Sequence, residues 1–426
     1  MDEAIRKLDE FIGKSVSPFH TVKTAIEQLE KKGFHELKIN RVWQIEEKSS
    51  YYVNIYDSSF MAFTVGNMEN AKDALRIVSA HTDFPCIKLK PHADIYDNRY
   101  HKLNAEVYGG AILNTWLDRP LSVAGKITYR GDDIFSPRQE LVNIDEPVLT
   151  IPNLAIHMNR DVNKGVALNK QKDMLPVCGI VEDELNRQDF IKTILSKYGS
   201  EEDVLSYELY VYQWENGDII GVNGDMFSSP RLDNITSVKA AVEAIINSGV
   251  RDGINMIVCF DNEEIGSRTK QGAGSNILPM LLEKIFISLG YGREEYIDYI
   301  LSGFMISADV AHAIHPASPE KNDITNKPYL NGGTAIKIAA SQSYANDAGA
   351  VAVIKELSKQ SQSDVQIFVN RSDMPGGSTL GSITSSLLPM RTIDVGVPIL
   401  AMHSARELMG VKDQQNIEKL LTCFFT

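Results

Sequence analysis

Two histidines and several acids stand where short apolar runs of the sequence stop. His81 follows LRIVSA, Asp309 follows FMISA, and His403 follows VPILAM. The run INMIVCF precedes DNEE, which contains Glu263 and Glu264. Neutral imidazole nitrogens and carboxylate oxygens are the ligands that zinc takes in catalytic sites. The sequence therefore contains a candidate metal-binding set.

The two adjacent glutamates predict a division of roles. Glu264 is predicted to bind metal, while Glu263 stays free as a general base that takes a proton from the attacking water and returns it to a leaving amine. Asp83, two residues after His81, is the predicted acceptor that orients the imidazole ring. A solvated loop and a hydrogen-bonded structural histidine are the alternatives for these two segments.

Asp233, in SPRLDN, is the candidate for a carboxylate that bridges two metal ions. Metals ~3.5–4 Å apart need a shared ligand, and a carboxylate offers two oxygens. His81 and Asp309 would complete one ligand set, and Glu264 and His403 the other. Without cations, three clustered carboxylates repel one another and partly protonate, which favours bound metal. The alternative for the aspartate is a helix N-cap.

The segments between these residues predict an α/β architecture. Short continuous apolar runs are typical of strands buried on both faces of a parallel sheet. Helical patterns separate several of the runs, at 237–249, 277–290 and 348–360. Alternating strands and helices form layered α/β domains, in which ligands gather beyond the carboxyl ends of the strands. We expect the candidate ligands to meet at that edge.

The middle of the chain has a different pattern. SYELYVYQW alternates with a period of two, and an Asn-Gly pair then predicts a hairpin turn before DIIGV. LSVAGKITYR and EPVLTI also read as strands. We predict an inserted β-rich domain over 93–222, between the two parts of an α/β domain at 1–92 and 223–426.

Composition excludes several other classes of function. The chain has 426 residues with 43 basic and 56 acidic side chains, a net charge of −13, and no Lys/Arg-rich run, which argues against nucleic-acid binding. No apolar stretch approaches the ~20 residues of a membrane span. The charged N-terminus lacks the apolar core of a signal peptide, and the four widely spaced cysteines fit a reducing compartment. A cytoplasmic protein is expected.

Seven motifs together resemble the aspartyl aminopeptidase family. They stand in the family's order: SAHTDFP, YGGAILNTWLDRPLSVAGK, IPNLAIHMNR, SPRLDN, DNEEIGS, MISADVAHAIHP and AMHSARE. The resemblance implies a co-catalytic zinc exopeptidase with a three-layer α/β/α domain and an inserted β-rich dimerisation domain. It also implies dimers that assemble into a hollow dodecamer. Its ligand set and general base agree with those reasoned above from the residues.

The resemblance implies further residues and leaves alternatives open. His157 is expected to reach a neighbouring subunit's active site, and Lys337, with Tyr344 nearby, to bind an acidic side chain at the N-terminus of a peptide. His312 and His315 are rival ligands. A preference for neutral or basic N-terminal residues, a two-metal deacylase or carboxypeptidase, and a non-catalytic scaffold are the alternative functions. Zinc is the expected metal, and Mn²⁺ or Co²⁺ also tolerate such ligands.

Overall fold

The computed structural model describes residues 3–68, 75–181, 189–197, 204–374 and 376–426. The chain divides into two compact units. The first comprises Met1–Phe84, Gly217–Met402 and Glu407–Thr426, and the second comprises Pro85–Asn216 and His403–Arg406.

Strands and helices are numbered along the chain. The strands are β1 (His35–Glu36), β2 (Ser49–Ile55), β3 (Ser59–Val65), β4 (Leu75–His81), β5 (Cys86–Asp97), β6 (Tyr100–Tyr108), β7 (Leu121–Tyr129), β8 (Arg138–Asn143), β9 (Val177–Ile180), β10 (Val204–Gln213), β11 (Asp218–Ile220), β12 (Met226–Ser229), β13 (Ile254–Phe260), β14 (Phe304–Ala308), β15 (Ala311–His312), β16 (Thr334–Ile338), β17 (Val365–Val369), β18 (Arg391–Gly396), β19 (Pro398–Leu400) and β20 (Glu407–Gly410). The helices are α1 (Glu3–Lys14), α2 (Pro18–Glu30), α3 (Phe190–Lys197), α4 (Leu232–Ser248), α5 (Ile277–Ser288), α6 (Arg293–Ser302), α7 (Ala348–Ser361), α8 (Leu380–Leu387) and α9 (Asp413–Phe425).

A mixed sheet forms the centre of the first unit. Its strand order is β1-β2-β3-β13-β4-β14-β18-β16-β17, and the four strands β13, β4, β14 and β18 are parallel. Every residue of β13 is buried, and in β4 only Arg76 is partly exposed. Burial on both faces explains why these strands are continuous apolar runs in the sequence.

Helices cover both faces of this sheet. Met256 and Val258 of β13 pack in one hydrophobic cluster with side chains of α5, α6 and α8. Asn255, which points to the opposite face, donates to the carbonyl oxygen of Phe425 at the end of α9, and α9 packs on α4. The first unit is thus a three-layer α/β/α domain. The helices predicted at 237–249, 277–290 and 348–360 are confirmed as α4, α5 and α7.

A second, five-stranded sheet of the first unit corrects one prediction. Its order is β11-β12-β20-β19-β15. The sequence predicts the run VPILAM in the main parallel sheet, but its strand β19 pairs with β15 and β20 instead. The strand that pairs with β14 in the main sheet is β18. The chain changes sheets at Gly396, where the carbonyl oxygen of Asp309 occupies the space a Cβ would need. An apolar run alone does not specify which sheet it joins.

Two predictions for the middle of the chain are also wrong, namely the hairpin at the Asn-Gly pair and the strand EPVLTI. The strand β11 pairs with β12 rather than with β10, through a turn in which Gly221 and Gly224 have φ of +94° and +63°. These glycines, not the Asn-Gly pair, supply the left-handed backbone that a tight turn requires. The segment EPVLTI forms only isolated bridges at Leu149 and Thr150.

The second unit has its own antiparallel sheet. The strand order is β8-β7-β10-β5-β6-β9. Trp116 and Tyr129 are among its fully buried side chains. Its predicted role as a dimerisation domain stays a prediction. Within the described residues of both units, no helix is long and apolar enough to cross a membrane.

Candidate metal centre

Strand ends bring predicted ligands together in the first unit. His81 is the last residue of β4 and is paired in register with Phe260, the last residue of β13. Glu263 and Glu264 lie in the 3₁₀ turn shortly after β13, and Asp309 follows β14 on the other side of β4. Because the three strands are parallel, their carboxyl ends meet at one edge of the sheet.

The His81 ring faces two carboxylates. Its Nε2 atom is 3.4 Å from an oxygen of Asp233 and 3.5 Å from an oxygen of Asp309. Ligand atoms of a tetrahedral zinc with bonds of ~2.0–2.1 Å lie ~3.3–3.4 Å from one another. The other ring nitrogen, Nδ1, is 3.0 Å from the carbonyl oxygen of Asp83. A carbonyl only accepts, so in the neutral ring Nδ1 carries the proton and Nε2 presents its lone pair to the carboxylates.

The Asp83 carboxylate connects the end of β4 to the glutamate turn. One oxygen accepts from the backbone N–H of Glu263 and the other from that of Glu264, both at 3.1 Å. An Asp83 oxygen also lies 3.4 Å from Nδ1 of His81. The side chain is completely buried, so these N–H donors replace the water it would otherwise bind. One carboxylate thereby fixes three of the predicted site residues relative to one another.

Asp233 is held by its backbone. It lies in the first turn of α4 with non-helical dihedral angles, after Arg231 at φ +61°, and its peptide bond to Asn234 is cis. The Asn234 side chain donates to the carbonyl oxygen of Ala308 at the end of β14. The Asp233 N–H donates to Glu407, a buried acid that sequence reasoning missed. Its signal was available, because Glu407 ends the motif AMHSARE.

Two groups of side chains in the first unit are arranged to hold a metal. The first is His81, Asp233 and Asp309, and the second is His81 with Glu263 and Glu264; within each group the ligand atoms all lie within 4.8 Å of one another. The two groups share His81, so the described residues place four carboxylates around one imidazole ring.

The electrostatics of this cluster favour a cation. Burial lowers the pKa of His81, but contacts with three aspartates outweigh burial and raise that pKa well above its ordinary value. Burial raises the pKa of Glu263 to about 8, although His81 opposes the shift. The cluster contains too many buried carboxylates for all of them to stay charged without a counter-charge, so it retains protons. A divalent cation would replace them.

Lys337 and Tyr344 lie beside the same cluster. The Lys337 ammonium in β16 is 3.3 Å from an Asp309 oxygen and 5.3 Å from the centre of the Tyr344 ring. Burial lowers the pKa of Lys337, but Asp309 and Asp394 reverse that effect and raise it. The lysine is thus a buried, charged ammonium next to a candidate ligand.

The other predicted residues lie outside these two groups. His157 is exposed in the second unit. His403 also belongs to the second unit, where its Nδ1 atom is 3.2 Å from the carbonyl oxygen of Gly110. His312 and His315 lie in the first unit, and among the described residues neither takes part in a group that could hold a metal.

The family model described as "Aminopeptidase I zinc metalloprotease (M18)" matches residues 11–425 of this sequence. The chain belongs to this family. A probable M18 family aminopeptidase 2 of Clostridium novyi is 47% identical over 422 residues, which cover 98% of each chain. A protein of the same description from Clostridium acetobutylicum is 45% identical over 426 residues, covering 99% of this chain and 98% of the relative.

Solved structures of M18 proteins have the same fold. A chain in the cryo-EM structure of the Ape4 and Nbr1 complex is 31% identical with a TM-score of 0.92, covering 99% of this chain and 85% of that one. A chain of the S. cerevisiae mApe1 dodecamer is 25% identical with a TM-score of 0.85, covering 100% and 96%. The predicted α/β zinc exopeptidase fold is confirmed. This M18 protein is a zinc-dependent aminopeptidase, as the family resemblance predicted.

Proposed function

We propose that this M18 aminopeptidase removes the N-terminal residue of peptides with two zinc ions held by five side chains. These ligands are His81, Asp233, Glu264, Asp309 and His403. The observation that carries the proposal is the approach of two carboxylates to Nε2 of His81, at 3.4 and 3.5 Å. An imidazole lone pair and two carboxylate oxygens at such spacings fit a divalent cation better than they fit one another.

The chemistry of the donors supports two ions rather than one. Four carboxylates surround His81 in the two metal-capable groups. One divalent ion balances only two of them, whereas two ions balance all four. Asp233 is proposed as the bridging carboxylate, because it lies in the group with His81 and Asp309 and a carboxylate can bind two ions through its two oxygens. When bound, zinc supplies positive charge that acidifies water and stabilises negative charge developing on the scissile carbonyl.

Glu263 is proposed as the general base. Its backbone is fixed through Asp83, and its side chain lies in the metal-capable group with His81 and Glu264, where a carboxylate can transfer a proton between water and an amine. The carboxylate accepts a proton from the attacking water and returns it to the nitrogen of the departing amine. A two-metal deacylase would use the same proton transfer, so the need for a free N-terminus on the substrate is what would separate an aminopeptidase from a deacylase.

A cavity beside Lys337 is the proposed place for the N-terminal side chain of the substrate. Tyr344 connects the lysine to this cavity, since its ring lies 6.0 Å from that of Phe368 and its hydroxyl accepts from Asn370 at 3.3 Å. The cavity holds about 290 Å³, and basic side chains contribute to its lining. They are His312, His315, Lys321 and Arg371. A basic lining supports a preference for acidic N-terminal residues.

Substitution of Lys337 tests the acidic preference. In Lys337→Gln we expect kcat/KM for aspartyl and glutamyl peptides to fall ~10–100-fold more than for leucyl peptides, since a buried charge-assisted hydrogen bond contributes ~1.5–3 kcal/mol. The measurement is a panel of N-terminal residues, each with a free and an N-acetylated form. Lys355→Gln is the matched control and should change little, because this lysine of α7 is exposed to solvent and lies outside the cavity lining.

Two results would contradict this part of the proposal. If kcat/KM of Lys337→Gln fell equally for acidic and apolar substrates, the role of Lys337 would be to position Asp309 and not to bind the substrate side chain. Efficient cleavage of the N-acetylated forms would favour a deacylase.

Assembly into a homo-oligomer is proposed as part of the function. The S. cerevisiae mApe1 relative is a dodecamer, and we propose the same assembly here, built from dimers. His157 lies in an exposed stretch of the second unit together with Leu154, Ile156 and Met158, which are 51%, 54% and 70% exposed. Exposed apolar clusters are typical of interfaces. We propose that His157 completes the active site of a neighbouring subunit.

Mixed oligomers test the role of His157. His157→Ala and Glu263→Gln should each be nearly inactive alone. Co-assembly should restore activity, because a Glu263→Gln subunit lends an intact His157 to a neighbour that retains Glu263. The measurement is kcat per subunit after dissociation and reassembly at several mixing ratios. Activity that stays at the sum of the two separate variants would show that His157 does not act across subunits.

A further inference from the structure

The segment that carries the last proposed ligand is held by the second unit. His403–Arg406 stands in the chain between Met402 and Glu407, which both belong to the first unit. Its backbone nevertheless bonds to one 3₁₀ turn of the second unit, Leu113–Trp116, and the residue before it. The N–H of Ile112 donates to the His403 carbonyl oxygen at 2.9 Å, and the N–H of Ala405 donates to the Thr115 hydroxyl at 2.8 Å.

The His403 ring is oriented by the same part of the chain. Its Nδ1 atom lies 3.2 Å from the carbonyl oxygen of Gly110. In the neutral ring Nδ1 therefore carries the proton, and Nε2 has the lone pair that a metal needs. A Cβ on Gly110 would stand 3.2 Å from that nitrogen. The glycine thus gives the ring room for this orientation, although its own φ is not in the left-handed region.

An ion cluster fixes the other end of the segment. Arg406 donates to an oxygen of Glu215 and to the carbonyl oxygen of Asn216, both at 3.0 Å. Arg119 donates to both oxygens of Glu215, at 2.6 and 2.8 Å, and its Nε donates to the carbonyl oxygen of Thr115 at 2.6 Å. The three charged side chains are 19–28% exposed. Glu215 therefore connects the segment His403–Arg406 to the turn Leu113–Trp116, which also bonds to the backbone of that segment.

We propose that Glu215 is a positioning residue for His403. The two arginines repel each other unless this carboxylate lies between them, so its charge determines whether the segment keeps one position. The inserted unit then contributes more than assembly contacts, because it supplies a metal ligand and the groups that orient it. This inference rests on the proposed function, in which His403 binds the ion that Glu264 also binds.

Metal affinity of Glu215→Gln tests the proposal. The amide keeps the volume of the side chain but loses its charge. We expect one of the two ions to bind 10–100-fold more weakly, the range found when groups that orient a ligand are changed. Binding of the other ion should be unchanged. Titration of the metal-free enzyme with Co²⁺, followed by visible absorption, measures both steps. Excess metal should restore most of the kcat.

Matched variants separate positioning from a general structural effect. Glu140→Gln removes the partner of Arg138 in the same unit and should bind both ions normally. Gly110→Ala crowds the ring without touching the ion cluster and should weaken the same ion as Glu215→Gln. Native binding of both ions by Glu215→Gln and Gly110→Ala would overturn the proposal. Two tightly bound ions in His403→Ala would instead overturn the ligand set of the proposed function.

Discussion

Replacing Glu263 by Gln should abolish most turnover and leave both metal ions in place. The amide has nearly the shape of the carboxylate, but it accepts no proton from water, and a general base contributes ~10²–10⁴-fold to the rate. The backbone contact with Asp83 remains, because it uses the N–H of residue 263 and not its side chain. We therefore expect kcat to fall within that range and the metal content to stay at two ions per chain.

Glu264 provides the matched control for this experiment. It lies in the same 3₁₀ turn, and its N–H bonds to the same aspartate. Glu264→Gln should lose metal, and part of its activity should return with excess zinc, whereas Glu263→Gln should not respond to added zinc. Metal analysis and kcat at several zinc concentrations distinguish the two. If the two responses were exchanged, the roles assigned to these neighbours would also have to be exchanged.

Replacing Asp233 by Asn should remove at least one metal ion and nearly all activity. An amide offers a single oxygen to a cation, so it does not bridge two ions as a carboxylate does. A metal ion contributes several kcal/mol to stabilising the transition state, and ~4 kcal/mol corresponds to a ~10³-fold loss of rate. We expect at most one zinc per chain by metal analysis and a loss of kcat of at least that size.

The control for Asp233 is another buried aspartate of the same unit. Asp413 is completely buried and accepts from the N–H groups of Asn331 and Gly333, and burial raises its pKa to about 7. Asp413→Asn should lower the melting temperature and retain two ions. If Asp233→Asn also kept two ions, this carboxylate would not be the bridge, and Glu264 or Asp309 would have to share the metals.

The meeting of three proposed metal-site segments at one sheet edge could be predicted, because each follows a strand of the main sheet. The apolar runs before His81, the glutamate pair and Asp309 indicate strands that are buried on both faces of a sheet. Because these strands pair in parallel, their carboxyl ends meet. The same reasoning misplaced the strand before His403, because a three-residue strand does not reveal its sheet. Nor did any local pattern show that Glu407 would hold the Asp233 backbone, since these residues are 174 positions apart.

Contacts of the second unit were the hardest part to predict. Arg119, Glu215 and Arg406 are each ordinary charged residues in sequence, and only the folded chain makes them one cluster. The Asn-Gly pair by itself favours a hairpin turn. The strands on either side of it, β10 and β11, pair with other strands, so tertiary pairing overrides this local preference. Local propensity indicates which backbone conformations a segment can adopt, but it does not indicate which strand the segment pairs with.

The covalent crossings between the two units have a consequence for how this enzyme can diverge. The chain leaves the first unit after Phe84, three residues beyond His81, and it enters the second unit again at His403 itself. A protein engineer who replaced the insert with a short linker would preserve the strand ends but delete the hydrogen-bonding partners of His403. The insert therefore could not be removed without changing the surroundings of a proposed metal ligand, whereas substitutions of insert residues that do not contact 403–406 would leave those hydrogen bonds in place.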